Sequence, residues 1–418
     1  MEPVTLLLAA LLAGDTLLQM VSNALNLRHA RPELPGEFTG WFEPGRYRSA
    51  QDYLRATTRF EQRQLAITTL ITITFLVAGG FGIVDTWARS WGFGLIGTGL
   101  VFTGVLMLAS ILVDLPFQVI DTFVIEQRFG FNRTTPRTFA ADQLKSLALT
   151  VLLGAPLFAA ILWFFTAAGP WGWAIAWGAV TLFQLAMMAL APSLLLPLFN
   201  TFTPLPEGEL KAAIEAYARR EQVPLSGIFS IDGSRRSSKT NAYVTGLGRL
   251  KRIALFDTLI AKHNVPELVA VLAHEVGHAK LGHLRRMLAT SIITTGVMFL
   301  LLSLCLHRHE LYDGIGVAWP PGEPAPLYAG MITFSILMAP LNRLLSIAAH
   351  HRSRRHEFEA DAYAARTTGD AESMINALKK LGVENLSNLT PHPFTVWLEY
   401  SHPPLLERIR ALRTPPPA

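Results

Sequence analysis

Cysteine is almost absent from this sequence, since Cys305 is the single one in 418 residues. One cysteine excludes a disulfide framework and a cysteine zinc knuckle, and no residue pattern pairs it with a base as a nucleophile. Charge is also scarce, because only 16% of the residues are charged whereas 50% are hydrophobic. This composition is too apolar for an ordinary soluble protein of this length and indicates an integral membrane protein whose partner is the lipid bilayer.

The formal net charge is +5, but there is no basic stripe with interleaved aromatic residues, so we expect no nucleic-acid partner. The N-terminal residues lack the basic segment of a secretory signal peptide, which predicts an uncleaved first span. Asp15 lies within that apolar run. A carboxylate is costly in hydrocarbon, so Asp15 is expected to face the bundle interior or a water-filled cavity, unless this span is only partly inserted.

Long hydrophobic runs are abundant. A bilayer core of about 30 Å requires about 20 apolar residues per helix. By this measure the sequence predicts seven transmembrane helices, near residues 3–25, 66–86, 92–113, 147–167, 172–198, 287–306 and 324–342.

Basic residues alternate between the predicted loops. The first loop (residues 26–65), the third and fifth loops and the C-terminal tail are rich in Arg and Lys, whereas the second and sixth contain only Arg89 and Arg308 and the fourth contains no charge. Cytoplasmic loops of membrane proteins carry an excess of Lys and Arg. We therefore predict that the N-terminus is outside and that loops one, three and five and the C-terminus are cytoplasmic. The sequence does not decide between a bacterial inner membrane and the endoplasmic reticulum.

The fifth loop contains an HExxH pattern formed by His274, Glu275 and His278. On a helix, residues four apart lie on one face, so both imidazoles can bind one Zn²⁺ while Glu275 acts as general base on the metal-bound water. Asn264 and Glu267 resemble a capping box at the start of this helix. A chance HExxH on a solvated helix is the alternative.

The residues after this pattern exclude two neighbouring classes. A metzincin requires Gly three and His six residues after the second His, whereas here Gly282 and His283 follow at plus four and plus five. We therefore expect His283 to be a polar helix residue or a contact behind a ligand, not a ligand. Lys280 and Arg285 follow too closely for an HExxH inside a membrane span, so this helix should lie outside the hydrocarbon or in a wet cavity.

The rest of loop five predicts a small α+β unit with a helix at 207–221, a strand at 228–231 and a β-hairpin formed by TNAYVTG and KRIALFD. In zinc proteases an exposed strand beside the active-site helix can bind an extended peptide by strand addition. Asn241, Ala242 and Tyr243 are the candidates for such a strand. A purely structural hairpin is the alternative.

An acidic pattern follows the last span. No Pro or Gly occurs between Pro340 and Gly369, so a helix can continue through RRHEFEADAYAAR. Glu357 can then complete a His₂Glu zinc site whose fourth position is open for water, and Asp361, on the same face, can hydrogen-bond a ligand histidine. Glu359, about 200° round the helix, is the alternative ligand. Spacing alone leaves this choice open.

Five segments together resemble the type I CAAX prenyl proteases, integral-membrane zinc endopeptidases of the gluzincin kind: HEVGH, EFEAD, SHPPLLERIRAL, FVIEQRFGFN at 123–132 and NAY at 241–243. The resemblance covers most of the chain and implies transmembrane helices that enclose a water-filled chamber, with one Zn²⁺ per chain at its cytoplasmic end. The site residues that it implies are the zinc ligands His274, His278 and Glu357, the base Glu275, the supporting Asp361, the oxyanion donor His402 and its neighbour Arg408.

The predicted fold class is therefore mainly α: a multi-pass membrane protein with seven transmembrane helices enclosing a chamber, plus a small α+β gluzincin-type zinc protease domain. The predicted division is 1–205 for the first five spans with their cytoplasmic loops, 206–286 for the first half of the protease domain, 287–342 for transmembrane helices six and seven, and 343–418 for the second half of the protease domain.

The predicted function is that of a membrane-embedded zinc endopeptidase acting on a peptide or a prenylated protein. A quality-control membrane protease shares HExxH and ExxxAD but has fewer spans, and a non-catalytic lipid-binding or transport protein would close a structural zinc site with a fourth ligand. The terminal TPPPA carries no endoplasmic-reticulum retention signal, and nothing in the chain identifies its source. The resemblance therefore supports the activity class more firmly than a prenylated substrate.

Overall fold

A computed structural model describes residues 2–224, 227–245 and 252–414, and for Pro44 and residues 243–245 it describes the backbone alone. The N-terminal part is built of helices. In chain order these are α1 (Pro3–His29), α2 (Pro44–Val77), α3 (Gly80–Arg89), α4 (Gly94–Ile120), α5 (Pro136–Leu149), α6 (Ala155–Ala167), α7 (Gly172–Leu194) and α8 (Leu196–Phe199). Two π-helical turns, Asp121–Glu126 and Thr150–Gly154, follow α4 and join α5 to α6.

The C-terminal part combines strands and helices. The strands are β1 (Phe202–Pro204), β2 (Gly227–Ile231), β3 (Ala242–Thr245) and β4 (Arg252–Phe256). The helices are α9 (Glu209–Arg220), α10 (Asp257–Lys262), α11 (Val265–Lys280), α12 (His283–Cys305), α13 (Glu310–Asp313), α14 (Leu327–Leu337), α15 (Ala339–Thr368), α16 (Ala371–Glu384), α17 (Pro393–Glu399) and α18 (Leu405–Arg413). The helix, strand and hairpin predicted for loop five correspond to α9, β2 and the β3–β4 pair, whose connection lies outside the described residues.

Among the described residues, five helical stretches are long and apolar enough to cross a membrane. Two bent pairs, α2 with α3 and α14 with α15, raise the number to seven if each pair is one span. In each of the five stretches, the most apolar segment of 18 residues is largely exposed, because only 0–17% of its residues are buried by the rest of the protein. Most of their apolar surface therefore faces lipid or an interior space, in agreement with helices that surround a chamber rather than pack into a solid bundle.

Each bent pair of helices changes direction at or next to a glycine or a proline. The axes of α2 and α3 differ by 63°, and Gly79 between them has a φ of 71°, a conformation that glycine adopts without strain. The axes of α14 and α15 differ by 55°, and Pro340, which has no backbone N–H, lies in the first turn of α15. The predicted spans 66–86 and 324–342 are therefore bent, whereas the predicted helix after Pro340 continues unbroken to Thr368.

The predicted first loop, residues 26–65, packs onto the protease part. α2 begins at Pro44, so the second half of this loop is helical. Phe38, Phe42 and Tyr47 are buried in one apolar cluster with residues of α16 and α18. The chain before the second span thus supports the segment that follows the last span.

Asp15 on α1 is paired with Arg343 on α15. Arg343 donates hydrogen bonds of 2.8–2.9 Å to both carboxylate oxygens, and Gln19 Nε2 donates to Oδ2 at 2.7 Å. Such a bidentate pair neutralises the carboxylate that would otherwise be costly in an apolar helix. The same contact ties the first span to the helix that carries Glu357.

The four strands form one sheet in the order β1-β2-β4-β3. β2 and β4 are parallel, whereas β1 with β2 and β3 with β4 are antiparallel. β3 is an edge strand, and it contacts α11. The apolar core of this domain lies between the sheet, α9, α11 and α15, so the helices that carry the candidate metal ligands are fixed by packing on one another and on the sheet.

Candidate active site

α11 carries His274, Glu275 and His278. At its start, Asn264 Oδ1 accepts a hydrogen bond from Glu267 N, and Glu267 Oε2 accepts one from Asn264 N, both at 3.0 Å, so the predicted capping box is formed. The face that packs into the protease core contains Leu268, Leu272, Ala273 and Val276. Because the cap fixes where the helix begins and the apolar face fixes its rotation, the two imidazoles project on one defined side.

α15 approaches α11 closely at Gly277. A Cβ at this position would lie 3.2 Å from the Ala360 backbone and 3.2 Å from Tyr363 Cβ, tighter than ordinary side-chain contacts. Glycine therefore allows the two helices to approach within backbone contact. Glu357, three residues before Ala360, faces the two histidines as a result.

The side-chain atoms of His274, His278 and Glu357 converge. The two Nε2 atoms are 3.1 Å apart, and the carboxylate oxygens of Glu357 lie 3.3 Å from His278 Nε2 and 3.5 Å from His274 Nε2. A tetrahedral metal with ligand bonds of about 2.0–2.1 Å separates its ligand atoms by about 3.3–3.4 Å. The two contacts of Glu357 use different carboxylate oxygens, Oε1 towards His278 and Oε2 towards His274, and one ligand atom from each residue lies within 4.8 Å of the other two. Among the residues that the structure describes, these three are therefore placed closely enough to share one tetrahedral metal ion.

Asp361 and Arg408 form a buried pair behind His274. Asp361 Oδ1 lies 2.8 Å from His274 Nδ1, and Arg408 donates to both oxygens of Asp361 at 2.7 Å. Arg408 Nη1 also lies 3.2 Å from Glu357 Oε2. Burial alone would lower the pKa of Arg408, but the carboxylates of Asp361 and Glu357 outweigh burial and raise the pKa, so the guanidinium stays charged. Asp361 therefore contacts His274, one of the predicted metal ligands.

His283 and Glu359 lie behind His278. His283 Nδ1 is 3.0 Å from His278 Nδ1, and His283 Nε2 is 3.0 Å from Glu359 Oε2. Glu359 thus points towards His283 and away from the converging atoms, which favours Glu357 as the third ligand. Burial lowers the pKa of His278, but its hydrogen bond with Glu357 and the charges of Glu357 and Glu275 outweigh burial, and the pKa is raised.

Glu275 and His402 lie on the open side of the site. Glu275 is partly buried, and its side chain makes no hydrogen bond or ion pair with the residues that the structure describes. His402 lies in the turn between α17 and α18, with its side chain 66% exposed and its Nε2 3.5 Å from Glu357 Oε1. Ser401 Oγ is 3.0 Å from the other ring nitrogen of His402. Both groups are therefore free to contact a substrate.

Ala242 begins the edge strand β3, and Asn241 directly precedes it. Asn241 O accepts from Phe256 N at 3.2 Å, whereas Ala242 N donates to the side-chain Oδ1 of Asn241 at 2.8 Å. In an antiparallel pair, residues alternate between bonding to the partner strand and pointing away from it. The backbone of Ala242 thus points to the open edge. The backbone of Tyr243 belongs to β3, and its side chain lies outside the described part.

One positioning contact was not predicted from the sequence. Arg354 Nη1, on α15, donates to Val396 O at 2.8 Å and to Tyr400 O at 2.5 Å. The contact ties the helix of Glu357 to the turn that carries His402. No residue spacing signals it, because it depends on how α15 and α17 pack.

A second such contact concerns the segment before β3. Lys239 Nζ lies 2.9 Å from Tyr53 Oη and 2.9 Å from a carboxylate oxygen of Glu126. Glu126 belongs to FVIEQRFGFN, one of the five segments that resemble the CAAX prenyl proteases. The contact joins the membrane part to the chain two residues before Asn241.

Two family models match the chain. A model described as CAAX prenyl protease N-terminal, five membrane helices, matches residues 23–201, and a model of peptidase family M48 matches residues 204–415. The chain belongs to peptidase family M48. The predicted family and the predicted enzyme class, a membrane metalloendopeptidase, are thereby confirmed.

Two relatives of this M48 chain cover three quarters or more of its length. A protein of Oryza sativa subsp. japonica, named CAAX prenyl protease 1 homolog, is 35% identical over 97% of each chain. One of Arabidopsis thaliana with the same name is 40% identical over 75% of this chain and 73% of its own. The crystal structure of S. mikatae Ste24p matches with a TM-score of 0.92 and 32% identity over 99% of each chain. This match confirms the predicted fold class.

Proposed function

We propose that this M48 chain is a zinc endopeptidase that cleaves peptide bonds near the C-terminus of prenylated proteins, with its active site on the cytoplasmic side of the membrane. The observation that carries the proposal is the convergence of the His274, His278 and Glu357 side chains beside two accessible groups, Glu275 and His402. The substrate class is supported by the relatives, which are named CAAX prenyl protease 1 homologs.

Zn²⁺ suits this set of donors. Two imidazole nitrogens and one carboxylate oxygen are ligands of catalytic zinc sites, which keep the fourth position for water or substrate. One ligand atom from each of the three residues lies within 4.8 Å of the other two, closely enough to share one tetrahedral ion. When bound, Zn²⁺ would act as a Lewis acid and generate a water-derived nucleophile at neutral pH.

Glu275 is the proposed general base. It follows His274 directly on α11, and its carboxylate makes no hydrogen bond with the described residues. An uncommitted carboxylate can accept the proton of the attacking water and return it to the leaving amine. Because Glu275 is not among the converging atoms, it should act on turnover without holding the metal.

His402 is the proposed donor to the oxyanion. The Ser401 hydroxyl can donate to Nδ1 of His402, which leaves the ring proton on Nε2, the atom that borders Glu357. An N–H in this position can stabilise the charge that develops on the carbonyl oxygen of the substrate. Arg408 is too deeply buried to meet a substrate, at 7% exposure, and its proposed role is to hold Asp361 and Glu357.

The edge of β3 is the proposed guide for the substrate strand. Backbone groups of an edge strand can pair with an extended peptide, and β3 lies beside α11. A substrate paired there would run along the open side of the site. This mode of binding requires no particular side chains in the substrate.

The decisive experiment compares two substrates on the purified, zinc-loaded enzyme in detergent or lipid. A farnesylated CAAX peptide should be cleaved faster than the same peptide without its lipid, and Glu275→Ala should cleave neither. Preferential cleavage of an unmodified unfolded protein would instead identify a quality-control protease. The family match over the five-helix N-terminal part, residues 23–201, argues against that alternative.

The proposed topology places residue 50 and the C-terminus in the cytoplasm and Gly314 on the opposite side. This orientation is supported by the alternation of Arg-rich and Arg-poor loops. Accessible tags inserted near residue 50, near Gly314 and at the C-terminus should report opposite sides for Gly314 and the other two. Labelling of all three from one side would contradict the orientation.

A further inference from the structure

The turn between α11 and α12 places a buried histidine behind a candidate metal ligand. Gly282, with a φ of 72°, separates the two helices, and α12 begins with His283. The residue is only 1% exposed, and the ring stacks on that of His356 with centroids 4.0 Å apart and an angle of 7° between the planes. The position of this ring is therefore fixed by packing.

Both nitrogens of His283 are engaged. Nδ1 lies 3.0 Å from Nδ1 of His278, and Nε2 lies 3.0 Å from Glu359 Oε2. Arg355 Nε donates to the other oxygen of Glu359 at 3.2 Å. An unbroken chain of polar contacts thus runs from the candidate metal ligand through a buried imidazole to a carboxylate and an arginine at the surface.

The proton positions along this chain follow from the geometry. His278 turns Nε2 towards the converging ligand atoms, so its ring proton must reside on Nδ1 and be donated from there. His283 must then accept a hydrogen bond from His278 at Nδ1 and carry its own proton on Nε2, from which it donates a hydrogen bond to Glu359. One arrangement of protons satisfies all three residues.

The two ligand histidines are therefore supported in different ways. His274 Nδ1 faces the Asp361 carboxylate directly at 2.8 Å. His278 reaches a carboxylate, Glu359, only through an intervening imidazole. Partners of this kind orient a metal-bound histidine and raise its basicity, and their loss typically lowers metal affinity about 10–100-fold.

We propose that His283 and Glu359 are positioning residues that fix the orientation and tautomer of His278 and thereby set how tightly the metal is retained. The proposal rests on the proposed function, in which His278 is a zinc ligand. It assigns a role to the Gly-His turn after HExxH that differs from direct metal binding.

The test measures zinc retention rather than activity alone. Purified full-length enzyme is loaded with Zn²⁺ and titrated with a chelator, and the midpoint is compared between variants. His283→Phe keeps a buried ring against His356 but removes both nitrogens, so the chelator concentration at the midpoint should fall about 10–100-fold. His283→Asn, whose Oδ1 can accept from His278, should recover most of that loss. Glu359→Gln, which can still accept from His283, should change retention less than Glu359→Leu.

A matched control separates metal retention from general damage. His263 is another buried histidine of the protease part, with its Nδ1 3.1 Å from Leu259 O. His263→Phe should lower the melting temperature without moving the chelator midpoint. Unchanged zinc retention in His283→Phe, or a loss no greater than in His263→Phe, would overturn the proposal. If His283→Phe does not fold, the Glu359→Leu and Glu359→Gln pair decides the question in the same way.

Failure of the proposed function would look different. Wild-type enzyme that binds no zinc, or a His278→Ala variant that binds it as well as wild type, would contradict the assignment of His278 as a ligand. Zinc that is bound by wild type, lost in His278→Ala and fully retained in His283→Phe would refute the role of His283 alone.

Discussion

On the buried side of the metal site, His274, Glu357 and Asp361 are between 2 and 7% exposed, whereas on the open side the His402 side chain is 66% exposed. The buried residues are held by other side chains, above all by the guanidinium of Arg408. The carboxylate of Glu275, on the open side, has no hydrogen-bond partner among the described residues. In the proposed function, the buried side holds the metal ion in one geometry, and the open side keeps groups available for a substrate.

This difference predicts two separable kinds of loss. Substitutions on the buried side should remove metal and stability together, because ligands and core contacts are the same residues. Substitutions on the open side should reduce turnover while metal content stays unchanged. Zinc content, melting temperature and kinetic constants measured on each variant therefore test whether the two sides of the site differ in this way.

The largest effects are expected at the ligands and the base. Replacement of His274, His278 or Glu357 by Ala should abolish zinc binding and hence activity, whereas Glu275→Gln should keep one zinc per chain and abolish turnover, because the base is not a ligand. Metal analysis beside a cleavage assay separates the two classes. Loss of zinc in Glu359→Ala with retention in Glu357→Ala would show that the third ligand is wrongly assigned.

Arg408→Ala should have the next largest effect. It leaves the buried carboxylates of Asp361 and Glu357 without their counter-charge, and breaking a buried ion pair in this way costs about 3–5 kcal/mol. The melting temperature and zinc content should both fall. Arg410→Ala, at an exposed position on the same helix, is the control and should change neither. An Arg408→Ala variant with normal stability would mean that the buried side does not depend on this charge.

His402→Ala should lower kcat about 10²–10³-fold, the effect of removing one oxyanion donor. Zinc content should be unchanged, because the ring is exposed and is not part of the converging ligand set. The kinetic constants of a zinc-loaded sample decide this, with His307→Ala, an exposed histidine beyond α12, as the control. A change confined to KM would remove His402 from the groups that stabilise the transition state.

The parts of the site that the sequence predicted are those determined by local pattern. Capping by Asn264 and the spacing of His274 and His278 are properties of one helix, so α11 could be predicted. The choice between Glu357 and Glu359 depends on how α15 is rotated against α11, and this rotation is set by tertiary packing at Gly277. Spacing alone therefore left the choice open.

Other features depend on contacts between distant segments. The pairing of Asp15 with Arg343 and the hydrogen bonds of Arg354 to the turn before His402 join helices that are far apart in sequence. Gly79 is a local signal for the bend between α2 and α3. The apolar run around it predicted a membrane span, but it did not indicate the angle between the two helices. The division of the chain at residues 205, 286 and 342 stays a prediction.

The smallest effect is expected at Asn241, at the edge of the open side. Its side-chain Oδ1 accepts from Ala242 N, so it fixes the first residue of β3, while pairing with a substrate strand would use backbone groups that no substitution removes. Asn241→Ala should therefore lower kcat/KM for an extended peptide by about tenfold or less, mainly through KM, with normal zinc content. Asn241→Asp keeps an oxygen that can accept from Ala242 N and should lose less. Unchanged kinetics in Asn241→Ala would mean that this hairpin is a structural element, and that the open side binds its substrate without the edge of β3.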